Sequence, residues 1–182
     1  MVDEFIQWLS AQNWKVIPAE TATPIPEDVL SRYGHAIPQS WLNFAGKLAK
    51  CEDQTGNKWF LVGPDFKPAK TEDDWSWNEL ELMGLDAAGK DKKWAKEVTD
   101  FWDTHFPIYL CTDPEYYYYA IDIEDGSVIT STEPDFEERA KRVAGSFPEF
   151  LAKIVSGDTG ITAASGASGT AVFYWPRTSK PK

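Results

Sequence analysis

The chain has 182 residues, 42% hydrophobic and 14% aromatic, with nine Trp, ten Phe and seven Tyr. That load excludes a disordered chain and suits one domain better than two. Its 18 Lys+Arg against 29 Asp+Glu give a net charge of −11, which repels phosphate backbones and anionic membrane surfaces and attracts a basic protein. No apolar run approaches the roughly 18 residues of a membrane span. The opening Met1-Val2-Asp3-Glu4 is acidic, where a secretory signal would be basic. The expectation is a cytoplasmic protein with no nucleic acid and no membrane among its partners.

Charge is unevenly spread. From Pro107 to Glu138 there is no Lys or Arg but nine acids: Asp113, Glu115, Asp122, Glu124, Asp125, Glu133, Asp135, Glu137 and Glu138. A second base-free stretch, Thr71 to Gly89, holds Glu72, Asp73, Asp74, Glu79, Glu81 and Asp86. Cys51 and Cys111 stand 60 residues apart with no His at ligand spacing, which predicts two buried thiols rather than a bridge or a metal site.

In chain order, Asp3 to Gln12 carries Phe5, Ile6, Trp8 and Leu9 on one helical stripe. A Pro-rich connection follows. Pro26 then starts a short helix through Val29, Leu30 and Tyr33, with Gly34 as its stop. Pro38 opens a helix burying Trp41, Leu42, Phe44, Ala45 and Leu48. Lys58 to Val62 reads as a strand. Within Asp73 to Leu85, Trp75 and Trp77 alternate around Ser76, and Leu80 to Leu85 suits a short helix ending near Gly84. Asp91 to His105 is a helix with a stripe of Trp94, Val98, Phe101 and Trp102.

After Pro107 the period changes to two. Ile108 to Thr112 and Glu115 to Ile123 read as strands, and Asp125-Gly126 predicts a hairpin into a third, Ser127 to Thr132. Tyr117, Tyr119, Ile121 and Ile123 share the uncharged, core-facing side of this meander; Tyr116, Tyr118, Ala120 and Asp122 share the other. Ser146-Phe147-Pro148-Glu149 is a capping box for a helix that Gly157 ends. The division is thus a folded domain over 1–155, a Gly/Ser/Thr-rich linker over 156–170, and an aromatic, basic tail over 171–182.

Motifs for catalysis are absent: no phosphate-cradling glycine loop, no H-E-x-x-H and no G-x-S-x-G. His35 and His105 stand in no motif, and His105 suits a helix C-terminus. Asp122 with Glu124 is the closest carboxylate pair in sequence, which a chain with 29 acids yields by chance. The expectation is a protein that is not an enzyme and uses no cofactor and no metal.

The order of elements carries a resemblance. Ile37-Pro38 before Trp41 and Phe44 comes first, then Phe106-Pro107-Ile108 and the strand Tyr117-Tyr118-Tyr119-Ala120-Ile121-Asp122 with its Gly126 turn. Last comes Ala144-Gly145-Ser146-Phe147-Pro148-Glu149-Phe150-Leu151. The ordered set resembles the Smi/Knr-like branch of the SUKH superfamily over about Glu27 to Val155, with Lys50-Cys51-Glu52-Asp53 standing where that pattern has a small-residue turn. The resemblance implies a single α+β domain, an antiparallel sheet flanked by helices. It further implies a non-enzymatic role: an immunity protein that binds and neutralises a cognate toxin, often a nuclease and therefore basic. The alternative within the family is a regulatory or scaffold module with no toxin, and outside it a carbohydrate or small-ligand hydrolase or binder using the Tyr and carboxylate face.

If the partner is basic, acids steer the encounter and neighbouring aromatics make the contact. The predicted partner-binding residues are Asp73, Asp74, Trp75 and Trp77 from the first base-free stretch, with Glu115, Tyr116, Tyr118, Glu124, Asp125, Glu133 and Asp135 from the second. The competing reading of the same residues is a solvated acidic face that only keeps the chain dissolved.

Overall fold

The computed structural model describes residues 1–34, 36–67, 75–133 and 136–159. Seven strands among them pair in chain order, each antiparallel to the next: β1 Lys15–Pro18, β2 Leu48–Glu52, β3 Lys58–Phe60, β4 His105–Cys111, β5 Tyr117–Asp122, β6 Val128–Thr132 and β7 Lys141–Ala144. Six helices flank this sheet: α1 Val2–Ala11, α2 Glu27–Arg32, α3 Gln39–Ala45, α4 Glu79–Ala88, α5 Lys92–Thr104 and α6 Phe147–Ser156. The class is α+β. No helix of the described residues is long and apolar enough to cross a membrane.

Side-chain alternation sorts the sheet into two faces. On one, Phe60 packs against Phe5 of α1 and Phe44 of α3 with ring centroids 5.7 and 5.4 Å apart, and Tyr119 packs on Phe150 of α6 at 4.7 Å. On the other, Tyr118 meets Trp102 of α5 at 5.0 Å and Phe136 at 6.3 Å. Helices therefore cover both sides of the central strands. On the other face of β1 and β2, Ile17 and Lys50 are exposed.

Local chemistry fixes the helix ends. The Asp91 carboxylate accepts from the N–H groups of Lys93 and Trp94, and Ser146 accepts from Glu149 N–H at 3.3 Å. Glu149 answers by accepting from Gly145 N–H at 2.8 Å, one residue before the reciprocal position of a capping box. Gly157, at φ +85°, closes α6 in the left-handed conformation. Beyond it the Thr159 carbonyl accepts from the Tyr119 hydroxyl at 2.5 Å, so the start of the expected linker is tied to the sheet; residues 160–182 lie outside the described ones. Cys51 and Cys111 are free and buried, and burial pushes both thiols up.

Three expectations need correction. The Pro-rich connection holds β1, where Pro18 is tolerated because an edge strand leaves its outer N–H positions unpaired. Lys50, Cys51 and Glu52 belong to β2 and not to a turn. The register slips between Ile17 and Pro18, and the turn itself is built by Asp53, whose carboxylate accepts from the N–H groups of Thr55 and Asn57. Finally, α4 runs through Gly84 to Ala88. A Cβ on Gly84 would sit 3.1 Å from Val98 of α5, so this glycine permits close helix packing instead of stopping the helix.

Candidate functional site

Trp59 projects from β3 onto the face that α5 covers only in part, in register with Glu52 of β2 and Leu110 of β4. Trp75, just ahead of α4, stands edge-on to it, with ring centroids 5.9 Å apart and planes at 78°. Trp75 is also edge-on to Tyr116, at 5.5 Å and 77°. Edge-to-face rings at these separations hold one another in place. Trp75 is 37% exposed, while Trp59 and Tyr116 are half-buried. The result is a fixed aromatic cluster with one open indole.

Acids border it. Glu115 is exposed beside Tyr116, and the exposed Glu133 is fixed by its N–H donating to the Tyr116 carbonyl at 2.9 Å. On the β2 side, Glu52 accepts from Lys15 at 3.0 Å and lies 2.8 Å from Lys50. Burial alone would raise its carboxyl, but the two lysines outweigh that and hold it below the usual range. The cluster thus has an acidic side at Glu115 and Glu133 and a charge-balanced side at Glu52.

Four of the predicted contact residues come together here: Trp75, Glu115, Tyr116 and Glu133. Trp77 does not join them. It turns inward, 5.7 Å from the Phe66 ring and 6.4 Å from Tyr33, with the Arg32 guanidinium 5.9 Å from its own ring. Glu124 and Asp125 are exposed at the opposite end of the β5–β6 hairpin. There Asp125 accepts from Ser127 N–H at 2.8 Å and pairs with Arg142 at 3.1 Å. The bonds from Ser127 hold its carboxyl below the usual range. Asp73, Asp74 and Asp135 lie outside the described residues.

Tyr118 is a correction. The side of the meander expected to face a partner is covered at this position by Trp102 and Phe136, and Tyr118 is 0% exposed. Its hydroxyl donates to the Phe136 carbonyl at 2.7 Å, and burial pushes that hydroxyl's pKa upward. It supports the face from beneath and touches no solvent. Trp59, by contrast, escaped the sequence reading although the needed signal was present: it alternates with Phe60, so one of the two had to leave the core side.

Elsewhere, His105 and Arg32 are engaged in structural contacts. His105 Nδ1 lies 2.8 Å from the Phe101 carbonyl and its ring stacks on Phe101 at 4.1 Å. Arg32 grips Glu81 with two bonds of 2.7 Å and Asp103 with a third of 2.8 Å, joining α2, α4 and α5. Among the described residues, no group of three or more His, Cys, Asp or Glu side chains is placed to hold a metal ion. Compared with known proteins, the chain matches no family model, no curated protein and no solved structure.

Proposed function

We propose that this chain is a non-enzymatic binding protein that neutralises a basic protein toxin by stoichiometric association, an immunity protein of the SUKH type. The observation that carries the reading is Trp75, held edge-on between Trp59 and Tyr116 and bordered by Glu115 and Glu133. A rigid, partly exposed indole buries area at low entropic cost, and interfaces concentrate their energy on such anchors. The acids beside it, on a chain of net charge −11, speed the approach of a basic surface. The antiparallel sheet with helices on both sides agrees with the fold that the resemblance implies.

The test is binding kinetics against the cognate toxin domain, at low and high salt. Trp75→Ala and Tyr116→Ala should mainly speed dissociation, by about 1–3 kcal/mol at a hot spot. Glu115→Gln and Glu133→Gln should slow association and flatten its salt dependence. Glu124→Gln, at the far end of the hairpin, serves as the control. An association rate indifferent to salt and to both acid substitutions would place the interface elsewhere.

A further inference from the structure

A groove of about 270 Å³ runs between α5 and the segment Phe136–Glu138. It is smaller than the roughly 300–1,000 Å³ of a pocket for a drug-sized ligand, and suits one long side chain. Its apolar side is built by α5: Val98 is buried at the floor, Phe101 is half-buried, and Trp94 stands 38% exposed at the rim. Glu97, Glu137 and Glu138 line the rest. The floor is close-packed, since a Cβ on Gly84 of α4 would come within 3.1 Å of Val98 and 3.2 Å of Glu137.

Glu137 is the informative residue. It is half-buried, and its Oε1 accepts from the Trp102 indole N–H at 2.8 Å. No cation of the described residues lies within ion-pair distance of Glu137 or Glu138, while Glu97 pairs with Lys93 at 3.5 Å in solvent. Burial pushes the Glu137 carboxyl upward, the Trp102 bond opposes this, and Glu138 and Glu81 add to it. A partly desolvated carboxylate with no ion-pair partner among the described residues carries a standing cost. Aromatic rings beside it favour a cation that also has an apolar stem.

We propose that this groove is the socket for a single arginine or lysine side chain of a protein partner, its stem along Trp94, Val98 and Phe101 and its charged head at Glu137. Both halves of the groove are needed. The apolar wall alone would accept any aliphatic group, and the acids alone would hold only a diffuse counterion cloud. This deepens the proposed reading, on which it rests, by naming the chemistry of one contact. Its acids Glu137 and Glu138 follow Glu133, at the aromatic cluster, by four and five residues in the chain.

The Trp102 indole N–H, bonded to Glu137, is a built-in reporter visible by nuclear magnetic resonance. Arginine amide should shift it saturably, and citrulline amide, its neutral isostere, should not. Trp94→Ala, at an exposed position that spares the fold, should weaken the response, and Glu137→Gln should abolish it. Equal shifts from the two amides, or an arginine response indifferent to both substitutions, would overturn the socket. Against the toxin domain, Glu137→Gln should reduce affinity about tenfold or more. Unchanged affinity there would overturn the socket and leave the immunity reading standing. Saturable arginine binding with no toxin bound would retain the socket and remove that reading.

Discussion

Tyr118 donates its hydroxyl hydrogen to the Phe136 carbonyl oxygen at 2.7 Å, and the two rings lie 6.3 Å apart. One buried side chain of β5 thereby pins the segment that carries Glu137 and Glu138. Tyr118→Phe keeps the ring packing and leaves that carbonyl without its donor. The cost should be about 1–3 kcal/mol, read as a shift in urea midpoint. Amide exchange in the segment 136–140 should rise with it. Unchanged exchange would mean that ring packing alone holds the segment.

Arg32 and Glu81 form the most demanding polar contact in the interior. Glu81 is 5% exposed and both its oxygens are taken by the one guanidinium. Arg32→Met strands a buried carboxylate and should destabilise the fold by about 3–5 kcal/mol. The pair Arg32→Met with Glu81→Leu should recover much of that loss, because an apolar pair of similar volume carries no desolvation cost. Urea unfolding of both variants measures the difference, and a double variant no better than the single one would contradict the assignment.

Asp65 gives a pH dependence of known sign. Its carboxyl accepts from Val62 N–H at 2.8 Å, yet burial pushes it up to about 6 from an ordinary 3.8. The folded chain therefore binds this proton more tightly than the unfolded one. The resulting stability is fully present below about pH 4 and is lost as pH rises through about 6, an effect of up to about 3 kcal/mol. Asp3, Glu52, Asp125 and Glu149 are lowered instead and act in the opposite direction as pH falls. The difference between Asp65→Asn and the parent chain isolates the effect. The variant should match the parent near pH 4 and exceed it at pH 7, whereas a difference independent of pH would refute the account.

Phe150 fixes α6 to the sheet. It is 0% exposed and its ring centroid lies 4.7 Å from that of Tyr119. Phe150→Ala should cost about 3–5 kcal/mol, and Ser146→Ala, which removes the cap on the same helix, about 1 kcal/mol. Thermal unfolding ranks the two, and a Phe150→Ala loss of only a few tenths would displace α6 from this position.

What the sequence disclosed follows the strength of local signals. Asp91, Ser146 and Gly157 announce helix ends because capping is read from single residues. The Asp125-Gly126 hairpin is equally local. β1 and β7 span four residues each at the sheet edges, where few side chains need burial, so their patterns are faint. The burial of Tyr118 was legible in retrospect, since Tyr116 to Ile121 is an uncharged run of the kind that strands covered on both faces require. The meeting of Trp59 with Trp75 and Tyr116 was not. Their chain separations differ, and only the sheet register brings them together.

The chain-order sheet also bears on how the molecule assembles. Four pairings, β2–β3, β4–β5, β5–β6 and β6–β7, close the short connections 53–57, 112–116, 123–127 and 133–140. The other two enclose 19–47 and 61–104, whose closure entropy is larger. Two hairpin-based halves, β1–β3 and β4–β7, can thus each gain contacts before they meet along one seam. That seam is Lys58, Trp59 and Phe60 against Tyr109, Leu110 and Cys111. In pulse-labelling hydrogen exchange these amides should be among the last to gain protection. The cluster of Trp59, Trp75 and Tyr116 would then be completed only when the two halves of the sheet have joined.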